Sequence, residues 1–104
     1  MIYALATITA YTPDCAGCSG FTASGRIADP AEHLVAADLR YWSVGDRIEV
    51  CLDDGPVVFT VADTGGAIRG RWRFDLLVET VEEARTWGVR QVHVSPLDRV
   101  EARR

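Results

Sequence analysis

Apolar and polar residues alternate with a period of two along several short stretches of the chain, and each stretch ends at turn residues. Such alternation is typical of β-strands that bury one face. Between Arg47 and Leu52, for example, Ile48 and Val50 share one side of the strand, whereas Cys51 lies on the other. The pattern predicts six strands, which run from Tyr3 to Tyr11, Leu34 to Ala37, Arg47 to Leu52, Val57 to Ala62, Arg73 to Val78 and Gln91 to Val94.

One helix is predicted over residues 80–87, between the fifth and sixth strands. Thr80 and Glu83 have the spacing of a capping box, in which each side chain bonds to the other residue's backbone amide, and Gly88 ends the helix with a positive φ. The apolar stripe that we expect to pack on the sheet consists of Val81, Ala84 and Trp87. Many short strands with a single helix predict a mainly β fold, a small closed barrel.

Composition adds constraints on size and partners. A chain of 104 residues with 48% hydrophobic and 25% charged residues is predicted to form one globular domain over residues 1–104. The net charge is −4, with 11 basic and 15 acidic residues, so the chain lacks the basic surface that nucleic-acid binding requires. All basic residues are arginine, which excludes Schiff-base lysine chemistry.

Targeting signals are not visible in this sequence. The first residues lack the basic and apolar regions of a signal peptide, and no apolar run approaches the length of a membrane span. We therefore expect no membrane insertion, and either a cytosolic location, an export route that the sequence does not show, or a leader that has been removed.

Two segments have no regular pattern, residues 12–30 and residues 63–70, and long irregular segments in a compact domain are usually functional. Asp63 begins the second segment, and Asp75 follows among apolar neighbours. Burial raises the pKa of a carboxyl group, and a neighbouring carboxylate raises it further, which keeps the acid able to donate a proton at neutral pH. A purely structural interpretation stays open here, in which Asp63 caps a turn and Asp75 bonds to buried backbone.

A set of short motifs surrounds these aspartates. They are ADTGGAIRG at 62–70, FD at 74–75, VAAD at 35–38, TAYT at 9–12, GFTASG at 20–25, WG at 87–88 and VHV at 92–94. With them the chain resembles the 3D domain, a family named for three aspartates and similar to the double-psi β-barrel of MltA-type lytic transglycosylases and stationary-phase-survival muralytic proteins. The resemblance runs from about Thr7 to Leu97. It departs where relatives usually place proline after the first aspartate and a PLG turn, because here Asp38 precedes Leu39 and the turn is SVG at 43–45.

The resemblance implies a six-stranded double-psi β-barrel that cleaves the β-1,4 bond between N-acetylmuramic acid and N-acetylglucosamine in peptidoglycan, leaving a 1,6-anhydro end without a cofactor or metal. Glycosidases generally need two carboxylates, whereas a lytic transglycosylase uses the substrate's own C6 hydroxyl as nucleophile and needs one acid/base. By family position that group is Asp75, with Asp63 and Asp38 tuning its pKa and binding sugar hydroxyls. The expected substrate-binding residues are Tyr11, Thr22, Thr64, Gly65, Gly66, Arg69 and Trp72.

Two other functions remain open from the sequence. One is a non-catalytic wall-binding or phage structural module that keeps the groove without turnover, and the other is a hydrolytic muramidase that uses Asp63 as the base for a water molecule. Each has peptidoglycan glycan strands as partner. Because peptidoglycan lies outside the cytoplasm, we expect the protein to act on the cell wall, either as a phage-encoded protein or after loss of a leader.

Cysteine, histidine, tryptophan and arginine offer weaker alternatives. Cys15 and Cys18 form a C-x-x-C that lacks the following helix of a redox site, so a local disulfide or two thiols is expected. Zinc would need Cys51 with His33 or His93 brought together by the fold. Two further side chains have both a sugar-facing and a surface interpretation: Trp72 stacks on a sugar or covers the barrel, and Arg71, like Arg69, meets muramic acid carboxylates or solvent.

Overall fold

The computed structural model describes residues 3–13, 20, 22, 25 and 28–97. Its elements in chain order are β1 (Ala4–Tyr11), a 3-10 helix (Pro30–Glu32), β2 (Leu34–Ala37), β3 (Arg47–Leu52), β4 (Gly55–Asp63), β5 (Arg73–Leu77), α1 (Val81–Trp87) and β6 (Arg90–Leu97). The strands close into a barrel in the order β1-β5-β2-β4-β3-β6. The predicted mainly β fold, a six-stranded double-psi β-barrel with one short helix, is confirmed.

Two parallel pairs, β1 with β5 and β2 with β4, are joined by antiparallel pairing between β2 and β5. Antiparallel pairing closes the ring: β3 pairs with β4 as a hairpin, and β6 pairs with both β1 and β3. Alternate residues of every strand therefore point into the barrel. The largest fully buried side chains of the barrel core are Ile8, Val35, Ile48, Val50, Val61, Phe74 and Val94.

The strand predictions are closest where alternation alone decides the structure and weakest at the ends. The bounds of β2 and β3 are as predicted. Strand β4 starts two residues earlier than predicted, because Gly55 pairs with Leu52 across a two-residue turn. Strand β6 continues past Val94 to Leu97, since β3 pairs with it up to that residue.

Only one of the two hydrogen bonds of the predicted capping box forms at the start of helix α1. The Thr80 hydroxyl oxygen accepts a hydrogen bond from the Glu83 amide at 3.0 Å. The prediction of the reciprocal bond was wrong. The Glu83 carboxylate accepts a hydrogen bond from the Thr80 hydroxyl, at 3.3 Å, and not from the Thr80 amide. Gly88 has the expected positive φ, 65°.

The predicted apolar stripe of α1 is correct at its end and wrong at its start. Trp87 packs against the barrel core, and its indole Nε1 donates to the Ile8 carbonyl at 2.8 Å. Val81 is half exposed, and Ala84 is only partly buried. A helix of two turns meets β1 through its last turn, so the first turn stays in solvent.

Candidate functional site

A row of four paired residues crosses the outer face of the barrel on β1, β5, β2 and β4. The register pairs Thr9 with Asp75, Asp75 with Ala36, and Ala36 with Asp63. A register shift in the β2–β4 pairing leaves Ala62 as the extra residue, so that Asp63 lies opposite Ala36. Two of the predicted catalytic residues are therefore brought to one surface.

The Asp75 carboxyl is half-buried and held at one oxygen. The Thr9 hydroxyl donates to Asp75 Oδ1 at 2.9 Å, and the Arg73 guanidinium in turn donates to Thr9 Oγ1 at 3.0 Å and to the Phe74 carbonyl at 2.6 Å. Asp75 Oδ2 has no hydrogen-bond partner within the part of the chain that the structure describes, and it is not fully buried. One oxygen is thus anchored, while the other is not fully buried and has no partner among the described residues.

Burial raises the pKa of Asp75, and the nearby Asp63 carboxylate raises it further. The Thr9 hydrogen bond and the Arg73 charge act in the opposite direction. The net shift is upward, in the direction that the sequence predicts. A raised pKa increases the fraction of Asp75 that carries a proton near neutral pH.

Asp63 ends β4, and its carboxylate accepts hydrogen bonds from Tyr11 and Thr64. Its Oδ2 accepts from the Tyr11 hydroxyl at 3.1 Å, and its Oδ1 accepts from the Thr64 amide at 2.9 Å. Burial raises the pKa of Tyr11, and the charge of Asp63 adds to this effect. Tyr11 therefore remains protonated and continues to donate to Asp63.

Asp38 is buried just beyond the end of β2, and its carboxylate is saturated with donors. Arg40 binds it through Nε and through Nη2 at 2.6 Å, and the Arg40 backbone amide donates at 3.0 Å. The Gly70 amide donates to the same carboxylate at 2.7 Å, and Gly70 has a φ of +104° that side chains rarely adopt. These bonds to Arg40 and Gly70 hold the pKa of Asp38 well below its usual range.

The lowered pKa of Asp38 predicts a specific acid sensitivity. The stabilisation from its bonds is fully present above the unfolded-state pKa, about 3.9, and is lost as the pH falls toward the lower folded-state value. We expect Asp38→Asn to be less stable than the wild type at pH 6, with a difference that narrows as the pH approaches 2. Urea unfolding midpoints from pH 2 to 6 measure this, with exposed Asp53→Asn as control; a difference that stays constant over this range would refute it.

A cleft of about 440 Å³ opens beside Asp38 and contains four of the predicted substrate-binding residues. We call it the arginine cleft; its lining residues are Asp38, Leu39, Arg40, Thr64, Gly65, Gly66, Ile68 and Arg69. It adjoins the row directly, because Thr64 follows Asp63 in the chain. The second irregular segment, 63–70, thus forms one wall of this cleft.

Two other predicted binding residues, Thr22 and Trp72, do not line this cleft. Thr22 is buried, and its carbonyl accepts from the Gly25 amide. Trp72 packs against the core and meets Trp42 edge to face at 5.9 Å, which agrees with the barrel-covering interpretation. Tyr11, by contrast, reaches the row through Asp63.

Sequence reasoning missed Thr9 and Arg73 as parts of the site. A signal existed for Arg73, since it stands two residues before Asp75 on one strand and so shares its face. Thr9 belongs to the TAYT motif, but only the pairing of β1 with β5 places its hydroxyl against Asp75.

The weaker alternatives receive little support. The ring centroids of His33 and Phe59 are 5.4 Å apart, while Cys51, which is exposed on the strand face opposite Val50, and His93 line a separate cavity of about 230 Å³. Over the described residues, no three His, Cys, Asp or Glu side chains are grouped to hold a metal ion. The prediction for Cys15 and Cys18 lies outside the described residues. No helix in the described ranges is long and apolar enough to span a membrane.

Fold and site together define a double-psi β-barrel with carboxylates arrayed on its outer face. The family model of the 3D domain matches residues 33–98. The chain belongs to the 3D-domain family, as the motifs predict.

Two relatives from Bacillus subtilis (strain 168) are similar over most of this chain. The protein named cell wall-binding protein YocH is 37% identical over 94 residues, which cover 88% of this chain and 31% of that protein. The putative cell wall shaping protein YabE is 34% identical over 92 residues, which cover 86% of this chain and 22% of that protein. The chain therefore spans about a third or less of these relatives.

Solved structures with the same fold include two of an expansin from Clavibacter michiganensis. A mutant in complex with cellohexaose superposes with a TM-score of 0.67 at 16% identity, covering 93% of this chain and 51% of the expansin. The apo protein gives a TM-score of 0.65 at 17% identity, with the same coverage. At these identities the likeness establishes the fold.

Proposed function

We propose that this chain cleaves the glycan strands of peptidoglycan as a lytic transglycosylase at the cell wall, outside the cytoplasm, with Asp75 as its acid/base. The names of the two relatives, which refer to the cell wall, support the substrate class. A likeness in fold to an expansin bound to cellohexaose supports binding of a β-linked glycan. The proposal rests on Asp75, whose carboxyl has one anchored oxygen, one open oxygen and a raised pKa.

The reaction follows from these features. Asp75 Oδ2 donates its proton to the glycosidic oxygen, and the bond from that oxygen to C1 of N-acetylmuramic acid breaks. The C6 hydroxyl of the same sugar attacks C1 and gives its proton to the Asp75 carboxylate. A 1,6-anhydro ring forms, the acid is regenerated and no water is consumed.

Neighbouring groups have distinct roles in this scheme. The negative charge of Asp63 stabilises the positive charge that develops near C1, and Tyr11 holds Asp63 in place. Arg73 orients the Thr9 hydroxyl toward Asp75 Oδ1, which leaves Oδ2 to carry the proton. For Asp38 we propose a positioning role, because its bonds to Arg40 and Gly70 tie together the walls of the arginine cleft.

Non-catalytic wall binding is the second candidate, favoured by the name of the first relative, cell wall-binding protein YocH. Incubation with purified sacculi, followed by mass spectrometry of the soluble products, separates the functions. Anhydro-muropeptides support the transglycosylase and reducing ends a muramidase. Co-sedimentation without release of products supports the binding module.

Removal of the Thr9 hydroxyl is expected to move the pH profile. The Thr9 hydrogen bond lowers the pKa of Asp75, so Thr9→Val raises that pKa further. Because the protonated acid is the active form, the alkaline limb of kcat/KM shifts to higher pH. Initial rates of sacculus solubilisation between pH 4 and 9 measure it, with Thr7→Val on the same strand as control; an unmoved limb would contradict this role of Thr9.

A further inference from the structure

Gly65 and Gly66 occupy positions that the fold itself does not reserve for glycine. Neither has a positive φ. A Cβ on Gly66 would meet no atom of the described chain within 4 Å, and one on Gly65 would meet only Ile68 Cγ1, at 3.4 Å. Both residues are exposed on the wall of the arginine cleft. The fold therefore does not require glycine at either position, and glycine lets another molecule approach this backbone closely.

The charged side chains that line the cleft together with these glycines are Asp38, Arg40 and Arg69. Asp38 is neutralised by its bonds to Arg40. Arg69 donates through Nε to the Gly66 carbonyl at 3.0 Å, which holds its guanidinium beside the glycines. Its charge has no carboxylate partner within the described ranges.

Arg71 is a second arginine without a carboxylate partner in the described ranges, and it shares an aromatic ring with Arg40. The guanidiniums of Arg40 and Arg71 stack on the same Tyr41 ring, at 5.7 and 5.4 Å from its centroid. The lining of the arginine cleft thus contains two arginines, Arg40 and Arg69, and one carboxylate, Asp38, with Asp63 one residue beyond it, in a chain whose net charge is −4. Like charges gathered in this way repel one another, and a bound anion offsets that repulsion.

We infer that the arginine cleft binds an anionic group of the wall polymer, a carboxylate or a phosphate, against the backbone of Gly65 and Gly66 with Arg69 as its main charged partner. Guanidinium forms strong paired hydrogen bonds with either oxyanion. This inference rests on the proposed function, since the cleft begins one residue after Asp63. It adds a requirement for charge on the substrate that the chemistry at Asp75 alone does not impose.

Binding variants test the site. In the Asp75→Asn background, which is expected to leave sacculi uncleaved, we expect Arg69→Gln and Gly66→Val each to weaken co-sedimentation with sacculi by about tenfold, which corresponds to about 1.4 kcal/mol of binding free energy. Arg85→Gln, on the exposed face of α1, is the charge-matched control and is expected to bind like its parent. Gly66→Val should keep the parental thermal midpoint, because a Cβ at this exposed position meets no atom of the described chain within 4 Å.

The source of the anion is identified with treated sacculi. Amidation of sacculus carboxyl groups reproduces the tenfold loss if the ligand is a lactyl or peptide carboxylate, and removal of phosphate polymers reproduces it if the ligand is a phosphate. Variants that bind like their parent, or binding that neither treatment alters, would overturn the inference while the proposed function stands. Sacculi that the wild-type protein neither binds nor cleaves would instead overturn the proposed function.

Discussion

Asp75→Asn is expected to reduce release of anhydro-muropeptides from sacculi by about a thousandfold, within the range that general acid–base catalysis contributes. Asparagine keeps an oxygen for the Thr9 hydroxyl that bonds Asp75 Oδ1 but cannot donate a proton to the glycosidic oxygen. Product release is measured by mass spectrometry at equal protein concentration.

This variant should leave the fold intact. The raised pKa of Asp75 means that burial opposes its charged form, so a neutral amide does not destabilise the barrel at neutral pH. We expect the thermal midpoint to stay within about 4 °C, which for a domain of this size corresponds to less than about 1 kcal/mol. Glu79→Gln, an exposed acid just beyond β5, is the matched control and is expected to keep full activity. Full activity of folded Asp75→Asn would exclude Asp75 as the acid.

Local patterns predict the strands, and the motifs predict which carboxyl matters, but neither predicts the pairing that assembles the site. Alternation places Phe74 inside and Asp75 outside, as the structure confirms. The register shift that brings Asp63 opposite Ala36 depends on contact between β2 and β4, which are separated in the chain by β3. The alternation of residues within β4 therefore cannot predict this register shift.

The same limit applies to Thr9 and Asp38. The bond from Thr9 to Asp75 joins residues 66 positions apart, and it exists only because β1 and β5 pair in parallel. From the sequence motifs, Asp38 is predicted to be the third member of a catalytic set. Its bonds to Arg40 and to the Gly70 amide, 32 residues away, show how the fold uses its charge.

Phe74→Ala is expected to destabilise the barrel by about 3–5 kcal/mol, the usual cost of removing a buried phenylalanine side chain. Phe74 is fully buried, pairs with Ile8 and Ala37 on the neighbouring strands, and packs on the Trp42 ring at 5.3 Å. Since domains of this size are stable by about 5–15 kcal/mol, the loss is a large share of the total. Urea unfolding measures it, with Phe74→Leu, which fills most of the cavity, as the milder control.

Substitutions of the two neighbouring residues Phe74 and Asp75 on β5 should therefore have different effects, one on stability and the other on catalysis. Phe74 faces the core and Asp75 faces the row with Thr9, so Phe74→Ala should lower the unfolding midpoint while the fraction that remains folded keeps its rate on sacculi. Asp75→Asn should keep the unfolding midpoint and lose most of the rate on sacculi. A Phe74→Ala protein that unfolds at the wild-type urea concentration would show that this ring does not hold the barrel together. Loss of activity in its fully folded state would show that the outer row depends on the packing beneath it.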